Sequence, residues 1–259
     1  MGGASRLSSS VSARFVFQCP SCHIVTFFFM PLDDFHLQAK APATIPYFLK
    51  EQVRELIIDG RFRPGQPLRE QELEQRFGTS RSPIREALRL LELTGLVVHV
   101  QRKGFRVRRY SEVEIRQIYA LRAELAAYSL LQLANLNFDK LLESMRAYDR
   151  VLARAHLDQD VRAYAGNLRD FHLLAARFTA NTPLEDALSR LYEQVEPTRH
   201  IYLRHAMSQL PYDAFHAKVL HAITDGDLPR AAAMTRSDVL ATVVNIVQVY
   251  EMAAGDGLS

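Results

Sequence analysis

The stretch from Leu68 to Arg109, LREQELEQRFGTSRSPIREALRLLELTGLVVHVQRKGFRVRR, constrains the fold most, because periodicity, turn chemistry and charge change along it in a fixed order. From about Glu70 to Phe77 a short helix is predicted with Leu73 and Phe77 four residues apart on one face, and Gly78-Thr79-Ser80 supplies a tight turn. A second helix follows at once. Ser82 reads as its N-cap, Pro83 as its first helical residue and Gly95 as its stop. Ile84, Ala87, Leu88 and Leu91 form one apolar stripe, and Arg81, Arg85 and Arg89 stand four apart on an adjacent one. After Gly95 the period becomes two, with Val98 and Val100 leading into the turn Gln101-Arg102-Lys103-Gly104 and a return strand from Phe105 to Arg109. A basic turn alone is what any solvated hairpin carries; the helix pair before it gives it meaning.

One buried face beside one cationic face is what a recognition helix needs to enter the major groove while anchored to its own domain. SRSPIREALRLLELTGLV followed by a basic, glycine-containing wing resembles the DNA-binding domain of the GntR family of bacterial transcription regulators, over roughly Pro46 to Arg109. The resemblance implies a winged helix-turn-helix in which Arg81 and Arg85 reach base edges or nearby phosphates. It further implies that Ser82 and Arg69 hold the DNA backbone and that Gly104 lets the wing tip approach the minor groove. Arg89 and Lys103 complete the cationic set. A bidentate arginine on guanine contributes about 1–3 kcal/mol of discrimination, whereas phosphate contacts supply affinity without reading sequence.

Charge divides the chain in the same place. Residues 46–109 hold fourteen Lys and Arg against eight Asp and Glu, a net of +6, while residues 110–259 hold fifteen against nineteen, a net of −4. A basic module beside an acidic remainder suits a local grip on DNA and a second half that binds something else. With 259 residues, 48% of them hydrophobic, the chain can bury one or two real cores. Two cysteines exclude a disulfide framework, and no apolar run reaches the ~20 residues of a membrane span, so a soluble, cytoplasmic protein is expected. Residues 1–43 are expected to be a disordered or mis-started extension: Cys19-Pro-Ser-Cys22-His23 matches haem-attachment and half-zinc-site patterns, but no second ligand pair or cleavage site accompanies it.

Residues 110–254 read as six helices, separated at Asn135 to Phe138, Asp158 to Asp160, Asn181 to Pro183, Ser208 to Pro211 and Asp225 to Pro229. The expected fold is therefore mainly α, a winged helix over residues 44–109 followed by a six-helix antiparallel bundle. Glu114 to Ala127, Phe171-His172, FHAKVLHAITDGD and the alanine-rich last helix together resemble the all-helical FCD effector domain of the FadR subfamily, in its shorter, VanR-like branch. Helical phase adds that Arg122 sits on the stripe of Ile115, Ile118, Tyr119, Ala126 and Leu133, where a buried guanidinium needs a partner. His172 shares a stripe with Tyr164, Leu168 and Ala175; His216 with Tyr212, Val219 and Ile223; Asp238 with Ala231, Met234, Thr242 and Val249. His200 and His221 fall on the opposite faces and are expected in solvent.

The resemblance implies a divalent metal held by a carboxylate one turn before the third-helix histidine and by two later histidines. Here His172 and His216 keep two of those positions, Asp238 replaces the last histidine, and Leu168 replaces the carboxylate. One zinc, nickel or manganese ion on His172, His216 and Asp238 is thus one expectation, and a small carboxylate effector clamped by Arg122 with His172 and His216 is the other. An internal salt bridge from Arg122 to Asp238 competes with that clamp. The expected protein is a homodimeric regulator that binds an operator duplex and performs no catalysis. A metal-dependent enzyme built around His172, His216 and Asp238, or a metal-sensing regulator, is the alternative.

Overall fold

The computed structural model describes residues 44–255 apart from 135, 210, 211, 213 and 214, so the expectation for residues 1–43, Cys19 and Cys22 included, lies outside the described residues. Helix α1, Ile45–Ile58, carries Pro46 in its first turn, where the missing N–H costs nothing, and buries Leu49, Val53 and Ile57. Strand β1, Pro67–Leu68, leads into α2, Glu70–Phe77, which ends on Gly78 in the left-handed conformation at φ 62°. Helix α3, Arg81–Leu93, buries the predicted Ile84, Ala87, Leu88 and Leu91. Its N-cap is Ser80, so Ser82 stands inside the first turn rather than capping it. Ser80 and Ser82, on either side of Arg81, both precede the proline, and the turn after Gly78 selects the earlier one.

Strands β2, Val97–Val100, and β3, Gly104–Val107, form the predicted hairpin. The sheet has three strands in the order β1-β3-β2, with Leu68 opposite Phe105. Strand β1 has two residues, too few to display a period. Leu49, Val53, Leu73, Ile84, Leu88, Leu91 and Phe105 close one core between the three helices and the sheet.

Among the described residues six helices follow, as predicted: α4 Glu112–Leu131, α5 Asp139–Leu157, α6 Val161–Phe178, α7 Thr182–Ala206, α8 Phe215–Thr224 and α9 Leu228–Gly255. Helix α4 starts on a capping box, the Ser111 hydroxyl accepting from the Glu114 N–H while the Glu114 carboxylate accepts from the Ser111 N–H. Its apolar face lies along α9, where Ile115, Tyr119, Val243, Ile246 and Tyr250 interlock, and Leu141, Leu152, Phe171 and Ile223 fill a second core among α5, α6 and α8. No described helix is long and apolar enough to cross a membrane.

Helix α1 packs against α7, and against the first turn of α6, through charge as well as shape. Arg54 hydrogen-bonds Glu196, Arg162 pairs with Glu55, and the His200 Nε2 lies 3.7 Å from Asp59. Tyr110, between β3 and α4, donates its hydroxyl to the Gly95 carbonyl at 2.8 Å, while its own N–H donates to the Tyr250 hydroxyl at 3.1 Å. Gly95, at φ 82°, holds a backbone conformation that L side chains rarely adopt, and a Cβ there would crowd the Gln194 side chain of α7 at 3.2 Å. The end of the second helix of the helix-turn-helix is thereby fastened to both α7 and α9.

Candidate functional site

Two sites are built on this frame, and the first is the exposed face of α3 with the β2–β3 turn. Arg81, Ser82, Arg85 and Arg89 are exposed on the helix, opposite the buried stripe, and Lys103 is exposed at the tip of the turn. Gly104 takes φ 77° with open space around it, so the backbone at the tip can lie close to a ligand surface. Arg69, also exposed, pairs with Glu72 at 2.9 Å one turn into α2.

Carboxylates of α2 pre-orient the helix arginines. Arg81 Nε donates to Glu74 at 2.8 Å and lies 3.6 Å from Glu70, which is also 3.6 Å from Arg85 Nε. The Glu74 hydrogen bond and charge push the Arg81 pKa up, but at an exposed pair this holds geometry rather than fold. Their forks are aimed before any anion arrives. Arg89 joins Arg85, Glu92, Leu93, His99 and Phe105 around an open groove between α3 and the hairpin. Sequence reasoning missed His99 there, because a single histidine in a strand carries no signal. Arg106 and Arg108 serve structure instead, Arg106 donating to the Gly65 carbonyl and Arg108 stacking on Tyr110 while pairing with Glu114.

The second site is a buried polar cluster inside the bundle. Arg122 of α4 is 4% exposed, with its guanidinium carbon 4.1 Å from the Tyr119 ring centre and 4.8 Å from that of Tyr192. Its Nε and Nη1 have no hydrogen-bond partner. Arg199 of α7, which sequence reasoning missed, stands at the same Tyr192 ring at 5.5 Å. It is 5% exposed, donates from Nη2 to the Ala165 carbonyl at 3.2 Å and leaves Nη1 without a partner. Burial, then the charge of Arg122, lowers its pKa. Cation–π contacts return about 2 kcal/mol when desolvated, against several kcal/mol for taking each ion out of water. The ring contacts alone therefore do not offset that cost.

His172 of α6 stacks on Tyr192 with ring centres 5.9 Å apart, and His216 of α8 lies 6.0 Å from it. Neither ring nitrogen of His172 has a hydrogen-bond partner, at a cost of about 1–3 kcal/mol for each buried polar atom. Burial first, then His216, Arg122 and Arg199, hold its pKa well below the ordinary 6.5, so the ring is neutral at pH 7. The hydroxyls of Tyr119 and Tyr192 also lack partners. Arg122 and His172 thus meet at the Tyr192 ring, with His216 next to His172.

The metal expectation fares differently. Among the described residues no three His, Cys, Asp or Glu side chains are grouped to hold an ion, so Asp238 does not complete a triad with His172 and His216. Position 168 is an apolar leucine, packed against the bundle core. Two guanidinium groups act on His172 in place of the missing carboxylate. Two imidazoles with no third His, Cys, Asp or Glu grouped beside them, and two guanidinium groups nearby, form a poor donor set for a dication.

His200 also corrects its expectation. It is 3% exposed, enclosed between α7 and α1, whereas His221 is solvent-exposed as expected. Phase on α7 misleads because both sides of the helix are covered, one by the bundle and the other by α1.

Residues 48–107 match the family described as "Bacterial regulatory proteins, gntR family", and residues 117–240 match the "FCD domain". The chain is 30% identical to the "HTH-type transcriptional repressor GlaR" of Escherichia coli K12, covering 74% of this chain and 90% of that protein. It is likewise 30% identical to the "Probable D-xylose utilization operon transcriptional repressor" of Paenarthrobacter nicotinovorans, covering 68% of this chain and 79% of the relative. Among solved structures, E. coli McbR/YncC superposes with a TM-score of 0.64 at 20% identity, over 82% of this chain and 99% of that one, a likeness of fold.

Proposed function

The chain belongs to the GntR family of bacterial regulatory proteins, a DNA-binding transcriptional regulator with an FCD domain rather than an enzyme, and on that premise we propose that a small acidic metabolite bound at Arg122 controls its operator affinity. The observation that carries this reading is a buried guanidinium with two N–H groups facing no protein acceptor. A carboxylate supplies paired acceptors for those nitrogens. His172 and His216 border the same space and complete its hydrogen bonding.

Helix α7 supports a route from that site to the DNA face. Tyr192 and Arg199 border the effector site, while Glu196 and His200 on the same turns hold α1 through Arg54 and Asp59. An effector that draws Arg199 toward it acts on residues directly bonded to that latch, and the population shift equals its differential affinity for the two arrangements.

Two copies are proposed to act together. Val113, Leu121 and Tyr128 of α4, with Leu240 and Val244 of α9, are exposed on neighbouring helices and form an apolar face suited to a second copy. Paired winged helices then read paired half-sites, Arg81, Arg85 and Arg89 in the major groove, Arg69, Ser82 and Lys103 on phosphates, and the Gly104 tip at the minor groove.

The test uses a duplex selected by the protein from a random pool and a panel of small organic acids. Arg122→Ala is expected to bind that duplex as wild type does and to lose every acid-induced change in affinity. An Arg122→Ala protein that still responds would remove the clamp from the mechanism.

A further inference from the structure

Resting on the placement of the wing tip at the minor groove, we propose that Arg102 enters that groove and reads its width, which makes this residue a determinant of the base pairs bordering each half-site. Backbone conformation singles it out. Arg102 is the third residue of the turn that joins β2 to β3, closed by the Lys103 N–H donating to the Val100 carbonyl at 2.9 Å. Its φ is 62°, in the left-handed region. At that place in a turn a positive φ suits glycine or asparagine, since the Cβ of other residues crowds the following carbonyl oxygen. Gln159 and Ala180 share the conformation, but each directly follows a helix, α5 or α6, where a left-handed residue closes the last turn. Arg102 closes no helix. Strain retained on a binding surface points to the side chain it presents.

The tip is held firmly enough to aim that side chain. Phe105, three residues on, is 3% exposed in the winged-helix core, and β3 pairs with β1 on one side and β2 on the other. Arg102 itself is exposed, and among the described residues nothing pairs with its guanidinium. Other arginines of the domain are engaged: Arg69 and Arg81 by carboxylates of α2, Arg106 by the Gly65 carbonyl and Arg108 by Glu114.

Groove chemistry selects between the two cations at the tip. A run of A·T pairs narrows the minor groove and deepens its negative potential, which draws a cation in. A guanidinium is more weakly hydrated than an ammonium, so Arg102 suits the narrow groove and Lys103 a phosphate on its wall. A G·C pair sets the guanine N2 amino group on the groove floor, a donor facing a donor. The expected preference is therefore for A·T pairs in the minor groove adjacent to the major groove that α3 enters.

The experiment titrates full-length protein by anisotropy against the selected duplex with its bordering base pairs set to A·T, G·C, inosine·C or diaminopurine·T. Inosine removes the minor-groove amino group and diaminopurine adds one, while the major-groove faces stay those of guanine and adenine. Wild type is expected to bind the A·T and inosine duplexes at least about fivefold more tightly than the G·C and diaminopurine ones. Arg102→Ala should bind all of these duplexes alike. Arg102→Lys should keep the salt dependence of wild type and lose most of the preference. Arg102→Gly relieves the left-handed conformation, so its melting temperature should not fall below that of wild type while the preference vanishes, which separates lost readout from misfolding. A preference that survives in Arg102→Ala, that wild type never shows, or that ignores inosine and diaminopurine overturns the reading by Arg102. Arg102→Ala combined with Lys103→Ala, if it bound as wild type does, would instead take the whole tip off the DNA and overturn the placement on which the proposal rests.

Discussion

At the residue scale, the division of labour on the DNA face follows from where each cation stands. Arg85 projects from the middle of α3 and is braced only loosely, at 3.6 Å from Glu70, so it can exchange that carboxylate for a guanine edge. Lys103 sits at the turn tip with no rigid fork, which suits a phosphate. Arg85→Ala is expected to weaken binding of the selected duplex by about 1–3 kcal/mol and to flatten the preference among single-base variants. Lys103→Ala should weaken all duplexes alike and reduce the salt dependence by about one ion. Anisotropy titrations on a variant duplex set at two salt concentrations measure both. Intact base preference in Arg85→Ala would mean that α3 does not read the groove through this face.

At the scale of elements, legibility in the sequence followed how many sides of an element are covered. Helix α3 was readable because its two faces differ, Ile84, Leu88 and Leu91 against Arg81, Arg85 and Arg89, and α4 because Arg122 interrupts an apolar stripe. Helix α7 was not, because Val195, Pro197, Thr198, Arg199 and His200 are all buried in succession between bundle and α1. Periodicity cannot separate two buried faces, so Arg199 is missed and His200 is assigned to solvent. Strand β1 exists through its pairing with β3 rather than through any local pattern. The α7–α1 seam nevertheless makes a prediction. Burial, then Arg204, lowers the His200 pKa below the ordinary 6.5, while Asp59 and Glu196 oppose that shift and Arg162 adds to it. A depressed histidine means the unfolded chain binds the extra proton first. Its contribution is full above about pH 6.5 and falls as pH drops toward the folded value. His200→Gln should therefore lose less thermal stability than wild type between pH 7.5 and pH 5.5. Parallel melting curves for the two proteins would show that His200 does not carry this linkage.

At the scale of the whole molecule, a DNA reader that distinguishes one site from a genome needs more contact than one winged helix supplies, and symmetry is the economical means. The twenty residues of α4 make a ridge roughly 30 Å long at 1.5 Å per residue. With α9 beside it about 10 Å away, two helices present one continuous face to a second copy. Arg236 grips Glu124 through two hydrogen bonds, 2.7 and 2.9 Å, and so locks the two helices together beside Leu121 and Tyr128. In a two-fold pair each copy offers this same face, so one charge introduced near its middle is felt twice. Leu121→Glu combined with Leu240→Glu is expected to give a monomer by light scattering, with unchanged helical content because both leucines are exposed. The monomer should bind a single half-site as before and lose the gain that a second half-site one helical turn away confers on wild type. A double variant that remains dimeric, or a monomer that keeps the two-site gain, would place the association elsewhere on the molecule.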